Sequence, residues 1–111
     1  YFQAQKFIGT PLEEEVRRAR TPMLAARMGR SESVPVRRDW ETVKPSIMKE
    51  AVFAKFSQYP ELRDHLLATG DARLVEHTDR DSYWADGGDG NGKNMLGVIL
   101  MEVRAELRRQ V

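Results

Sequence analysis

The stretch Trp84-Ala85-Asp86-Gly87-Gly88-Asp89-Gly90-Asn91-Gly92-Lys93-Asn94 gathers a ring, two carboxylates, an ammonium and a run of glycines into one short segment, and five of the chain's eight glycines fall between positions 87 and 97. Glycine has no Cβ, so its backbone can take positive φ and approach a ligand closely. An apolar helix follows directly. Its N-terminus would present unpaired N–H groups and the positive end of its dipole to an anion. With Asp86, Asp89 and Lys93 supplying charge and Trp84 a flat face, the segment is expected to receive a ligand that carries both a ring and a phosphate. The competing reading is a flexible surface connector.

Three better-known loops come near this pattern without matching it. Gly87, four residues, then Gly92-Lys93 approximates a phosphate-binding P-loop, but Asn94 stands where Ser or Thr would hold magnesium. The preceding residues, Asp81 to Trp84, are not the buried hydrophobic strand that such a loop follows. Gly87-Gly88-Asp89-Gly90-Asn91 touches on a calcium-binding nonapeptide, but a single copy cannot stack. Asp79, Asp81, Asp86 and Asp89 offer oxygen ligands without EF-hand spacing or its bidentate Glu. No metal site and no cofactor are expected.

Proton transfer would fall to carboxylates. Asp81, Asp86 and Asp89 are close in sequence, and like charges in proximity raise a carboxyl pKa toward one that can donate a proton. Asp86 and Asp81 are therefore the candidate catalytic residues, against the bland reading in which aspartates merely cap turns. His65, beside Asp64, and His77, beside Glu76, read as surface or structural residues. Trp40 and Trp84 are the only tryptophans. Both lie at segment boundaries rather than within an apolar stripe, and each reads as a stacking plate or as a plug beneath a loop.

The elements that must position these groups are mostly helical. A short opening helix is read over 1–8. Thr10-Pro11 and Thr21-Pro22 are helix starts with Pro in the first turn. Glu13, Glu14 and Glu15 followed by Arg17, Arg18 and Arg20 match the macrodipole of the first helix, and Gly29 closes the second. Residues 30–39 read as a loop. Helices are expected over 41–57, with Pro45 in its first turns, over 61–69 with Gly70 beyond its end, and over 94–109 with Leu96, Ile99, Leu100, Val103 and Leu107 on one face. Residues 72–77 are the one plausible strand. The expected fold is α+β and predominantly helical, with about five helices and one or few short strands, in a single domain over 1–111.

Composition narrows the partners. The 41% hydrophobic content is enough for one modest core, and a net charge of +1 gives no broad basic field for duplex nucleic acid or an anionic membrane. The absence of cysteine removes disulfides, thiolate nucleophiles and Cys-ligated zinc. The longest apolar run, Val98 to Met101, is too short to span a bilayer. A cytoplasmic location is expected.

In order along the chain, several blocks resemble the NADAR family and its YbiA-like N-glycosidase branch: Tyr1-Phe2-Gln3-Ala4-Gln5-Lys6-Phe7, Thr21-Pro22, Ala25-Ala26-Arg27-Met28-Gly29-Arg30, Arg38-Asp39-Trp40-Glu41-Thr42-Val43-Lys44, Lys55-Phe56, Leu66-Leu67-Ala68-Thr69, Leu74-Val75-Glu76-His77-Thr78, Tyr83-Trp84, Asp86-Gly87-Gly88, Gly90-Asn91-Gly92-Lys93-Asn94, Leu96-Gly97 and Leu100-Met101-Glu102-Val103-Arg104. Ala85 stands where a glycine is common. The resemblance implies hydrolysis of an N-glycosidic bond in phosphorylated ribosylamino-pyrimidine intermediates of riboflavin biosynthesis, releasing ribose 5-phosphate. It leaves open removal of ADP-ribose from guanine, the one nucleic-acid connection expected, or simple ADP-ribose or nucleotide binding without catalysis. It also implies a preceding region ending in a Glu-His pair, so the chain reads as N-terminally truncated, with that Glu a further acid–base candidate. On this reading Lys93, Arg27 or Arg30 and the loop N–H groups hold the phosphate. Trp40 and Trp84 flank the base. Gln3, Lys6, Gly88, Asp89, Gly90, Gly92 and Asn94 complete the binding set, and a carboxylate activates water at the anomeric carbon.

Overall fold

The computed structural model describes residues 1–110. Six helices follow one another: α1 (Phe2–Gln5), α2 (Pro11–Arg17), α3 (Pro22–Gly29), α4 (Trp40–Gln58), α5 (Pro60–Ala68) and α6 (Met95–Arg109). Among the described residues there is no strand, so the expected α+β class is corrected to an all-helical one. Residues 72–77 are irregular backbone with hydrogen bonds, but those bonds go elsewhere than to a ladder. Glu76 N–H donates to the Asn94 side-chain oxygen at 2.9 Å, and Leu74 C=O accepts from the Asn94 side-chain nitrogen at 2.9 Å. Glu76 C=O accepts from Asp86 N–H, also at 2.9 Å. These backbone groups of Leu74 and Glu76 are satisfied by a side chain and a loop in place of a neighbouring strand.

The Thr-Pro starts act in two ways. Thr21 Oγ1 accepts from Leu24 N–H at 3.0 Å, a regular N-cap. Thr10 Oγ1 instead donates back to Phe7 C=O at 2.7 Å, and Glu13 reaches the N–H of Gly9 at 3.0 Å. Pro45 lies inside α4 near its start.

The chain divides into two compact units, Tyr1–Ile47 and Met48–Val111. In the first, Ala4, Phe7 and Val16 are buried, with Leu12, Ala25, Met28 and Val34 packed against them. This cluster joins α1, α2 and α3. In the second, Leu66 of α5 meets Ile99, Val103 and Leu107 of α6, and Met48, Val52, Phe53, Phe56, Leu67, Leu74, Trp84 and Leu100 pack around them. The α6 stripe is the one read from its periodicity. Burying each of these side chains contributes about 1.5–3 kcal/mol. Arg104, on the same helix, is also buried and donates to Thr69 Oγ1 at 2.8 Å, which fixes the end of α5. Lys49 bridges Glu106 at 2.8 Å and Glu102 at 3.1 Å.

Gly97 is where α6 meets the 74–76 segment most closely. A Cβ at this position would lie 2.2 Å from Leu74 O and 2.3 Å from Asn94 Nδ2. Gly97→Ala improves helix propensity yet is expected to destabilise the protein by about 1–3 kcal/mol through overpacking. A urea midpoint unchanged from the wild type would show that this approach is not a constraint.

Candidate functional site

The residues singled out from the sequence fall in both units. In the first unit they gather around Lys6. Its ammonium donates to Gly29 C=O at 3.2 Å and lies 5.7 Å from the centre of the Trp40 ring. Phe2 meets the same indole with ring centroids 5.1 Å apart. Burial, then the neighbouring charges of Arg30 and Lys44, hold the Lys6 pKa below its ordinary value, while Glu41 opposes them. Lys44 pairs with Glu41 at 2.5 Å. A half-buried ammonium among like charges is a place where an added anion would be stabilising.

Two expectations change here. Trp40 is only 8% exposed, so its ring supports Phe2 and Lys6 instead of standing open as a plate for a base. Gln3 tucks its side chain under α3, where a Cβ on Gly29 would sit 2.1 Å from Gln3 Oε1; that oxygen is buried without a hydrogen-bond partner. Arg27 and Arg30 are exposed at the end of α3.

In the second unit the glycine loop is bonded to itself. Gly87 N–H donates to Asp81 C=O at 3.0 Å and Gly92 N–H to Asp86 C=O at 2.7 Å. At the mouth of α6, the N–H groups of Lys93, Asn94, Met95 and Leu96 donate to the carbonyls of Ser82, Ala85, Tyr83 and Trp84. These N–H groups, expected to cradle a phosphate, are therefore spent on the polypeptide itself. The glycines serve another purpose: Gly87, Gly88 and Gly90 have positive φ, and Gly92 lies so close to residue 86 that a Cβ would be 2.5 Å from its carbonyl carbon.

The aspartates are likewise turn-makers. Asp81 Oδ1 accepts from Tyr83 N–H at 2.8 Å and Trp84 N–H at 2.7 Å. Asp89 Oδ1 accepts from Asn91 N–H at 2.9 Å. Asp86 is buried. Its Oδ2 pairs with His77 Nδ1 at 2.6 Å, and its Oδ1 accepts from Gly88 N–H at 2.8 Å and Thr78 N–H at 3.2 Å. These bonds, that from His77 foremost, hold the Asp86 pKa below the usual carboxylate value. Sequence proximity suggested the opposite shift. Donors surround Asp86 where other carboxylates were anticipated, and they favour its ionised form.

Asn94 is buried and left-handed (φ 52°), and its side chain is committed to Leu74 and Glu76 instead of a ligand. Trp84 packs against the α5–α6 core and meets the Tyr83 ring edge-on at 4.8 Å. Lys93 is exposed, 5.6 Å from the centre of the Tyr83 ring, and Gly88, Asp89 and Gly90 are exposed at the tip of the loop. The sequence reading missed His77 as the partner of Asp86. The available signal was one acid and one imidazole flanking a turn, with Glu76 a nearer acid in sequence. Among the described residues no group of three or more His, Asp or Glu side chains is placed to hold a metal ion.

The chain belongs to the NADAR domain family, which matches residues 1–108. It is 58% identical over 107 residues to N-glycosidase YbiA of Escherichia coli strain K12, covering 96% of this chain and 67% of that protein. An N-glycosidase of Nostoc punctiforme is 46% identical over 114 residues, covering 97% of this chain and 71% of that one. A riboflavin biosynthesis protein of Vibrio vulnificus is 46% identical over 108 residues, 97% of this chain and 29% of that protein. The solution structure of Escherichia coli YbiA superposes with a TM-score of 0.92 at 56% identity, over 99% of this chain and 66% of that one. The chain thus spans about two thirds of the YbiA proteins that it resembles.

Asn94 provides a direct test of its structural role. Asn94→Gly keeps the left-handed backbone but removes both side-chain bonds, and is expected to cost about 1–3 kcal/mol in chemical unfolding. Asn94→Ala is expected to lose roughly 1–2 kcal/mol more, because alanine resists positive φ. Equal stability of all three proteins would overturn the assignment.

Proposed function

We propose that this chain carries the N-glycosidase activity for which its relatives are named, acting on a phosphorylated ribosylamino-pyrimidine and releasing ribose 5-phosphate. In this reaction water attacks the anomeric carbon, the bond from that carbon to nitrogen breaks, and the leaving amine takes up a proton as oxocarbenium character develops. Relatives named for riboflavin biosynthesis in Vibrio vulnificus and Zea mays support the choice of substrate class. The match over residues 1–108 supports treating the chain as one NADAR domain. No helix among the described residues is long and apolar enough to cross a membrane. A cytoplasmic location belongs to the same proposal.

The observation that carries the reading is the half-buried Lys6, braced on Trp40 with Arg30 and Lys44 as its charged neighbours. This group is the proposed receptor of the substrate phosphate, with Arg30 contributing from the end of α3. Binding of a phosphate dianion would offset the burial and the repulsion that now lower the Lys6 pKa. Asp81, Asp86, Trp84 and the loop residues Gly88, Asp89, Gly90, Gly92, Lys93 and Asn94 enter the proposal chiefly as the framework of the glycine loop. Of these, exposed Lys93, Asp89 and the glycines of the tip are the ones open to a ligand.

Incubation with a ribosylaminopyrimidine phosphate and, separately, with ADP-ribosylated guanosine tests the reaction by release of free base. Turnover of the first is expected; turnover of the second alone would replace the substrate assignment. Lys6→Met is expected to weaken ribose 5-phosphate binding by about tenfold or more, because a charge-assisted contact is lost. Wild-type affinity should fall as pH rises through the lowered Lys6 pKa, since the contact requires the ammonium form, and the variant should lack that step. Titration calorimetry across the pH range checks both points, and unchanged affinity in Lys6→Met would overturn the phosphate assignment.

A further inference from the structure

We infer that His77 is a positioning residue that fixes the glycine loop by acting through Asp86. The pair is unequal: the His77 side chain is 72% exposed, whereas that of Asp86 is 9% exposed. An exposed ion pair ordinarily contributes little. Here one partner is a buried carboxylate, and removing the donor would leave its Oδ2 without the His77 bond and the buried charge only partly compensated. The carboxylate also joins two stretches of chain. It accepts from Thr78 N–H on one side and Gly88 N–H on the other, while Asp86 N–H donates to Glu76 C=O.

The two stretches come very close together at this point. A Cβ on Gly88 would lie 2.8 Å from Asp79 Cβ and 3.0 Å from Asp79 Cα. Residues 76–79 and 86–88 therefore form one clamp, with Asp86 as its pin and His77 as the side-chain donor that keeps the pin charged and oriented. The exposed tip of the loop, Gly88 to Gly90, projects from this clamp.

The clamp is also sensitive to pH. Asp86, which hydrogen-bonds to His77, raises its pKa most; burial opposes it, and Asp79 adds a lesser rise. The His77 contribution is complete below the ordinary histidine value of 6.5 and is lost as pH rises through the raised one. The Asp86 contribution is complete above the ordinary 3.8 and is lost as pH falls through its lowered value. The clamp is firmest between those two limits.

The inference rests on the proposed N-glycosidase reading only for its kinetic arm. Amide exchange of Thr78 and Gly88, followed by NMR and corrected for intrinsic rates, provides an arm that does not depend on activity. In the wild type, protection of both amides is expected to fall about tenfold as pH rises through the raised His77 pKa. His77→Ala should lack that protection throughout, and His77→Gln, which can still donate without carrying charge, should retain protection without the pH step. In the kinetic arm, kcat/KM should fall about tenfold in His77→Ala and recover in His77→Gln near neutral pH. Wild-type protection in His77→Ala, a pH step that survives in His77→Gln, or lost protection with unchanged kcat/KM would overturn the positioning role. Absence of turnover by the wild type would instead overturn the N-glycosidase reading, and the exchange data would still decide the role of His77.

Discussion

The second unit depends on a buried asparagine in a left-handed turn. Asn94 has one side-chain acceptor and one side-chain donor, and both are used on the same neighbouring segment, at Glu76 and Leu74. A buried amide is costly unless it is satisfied, so this geometry fixes the 74–76 backbone with little freedom to shift. Gly97 allows the approach, because any side chain there would overlap Leu74 and Asn94. The start of α6, the course of residues 74–78 and the entry to the glycine loop follow from that single tie. Asp86 then repeats the device one turn away, with a charge in place of an amide.

This arrangement explains why periodicity revealed the helices but not the segment between α5 and α6. Ile99, Val103 and Leu107 carry a 3.6-residue signal because one solvent-averse face meets one core, and sequence spacing encodes that directly. Residues 72–77 have the composition of a strand, yet strand character requires a partner with free backbone groups. Asn94 and Asp86 supply partners from outside any sheet, and their reach across 18 and 8–9 residues leaves no periodic trace. The turn chemistry of aspartate was legible in kind: Asp81 and Asp89 act as capping residues do. The charge state of Asp86 was not, since a carboxyl pKa depends on which donors surround it in space.

The family resemblance and the local chemistry pointed to the same ligand class and shared the glycine loop as binding group, but the folded loop spends donors at the mouth of α6 on itself. The sequence directs attention to glycines, because they are conspicuous. In the folded chain those glycines relieve steric conflict within a self-bonded loop, at Gly88 against Asp79 and at Gly92 against residue 86. Dense glycine before a helix is thus compatible with two opposite outcomes, a cradle with open N–H groups or a loop that consumes them. The hydrogen bonds from residues 93–96 to 82–85 place this protein in the second.

Anion recognition needs unspent donors and a local excess of positive charge, and a net charge of +1 means that any such excess must be concentrated. In the loop region Asp81, Asp86 and Asp89 hold backbone donors that are already used, and exposed Lys93 stands among these acids. Around Lys6 both conditions improve. The ammonium has three donors, of which Gly29 C=O takes one, and the Trp40 face supports the charge without neutralising it. Burial and like charge make the ammonium less stable than in water. In the proposed phosphate site that same destabilisation would be returned when an anion arrives, favouring a phosphorylated ligand over its neutral analogue.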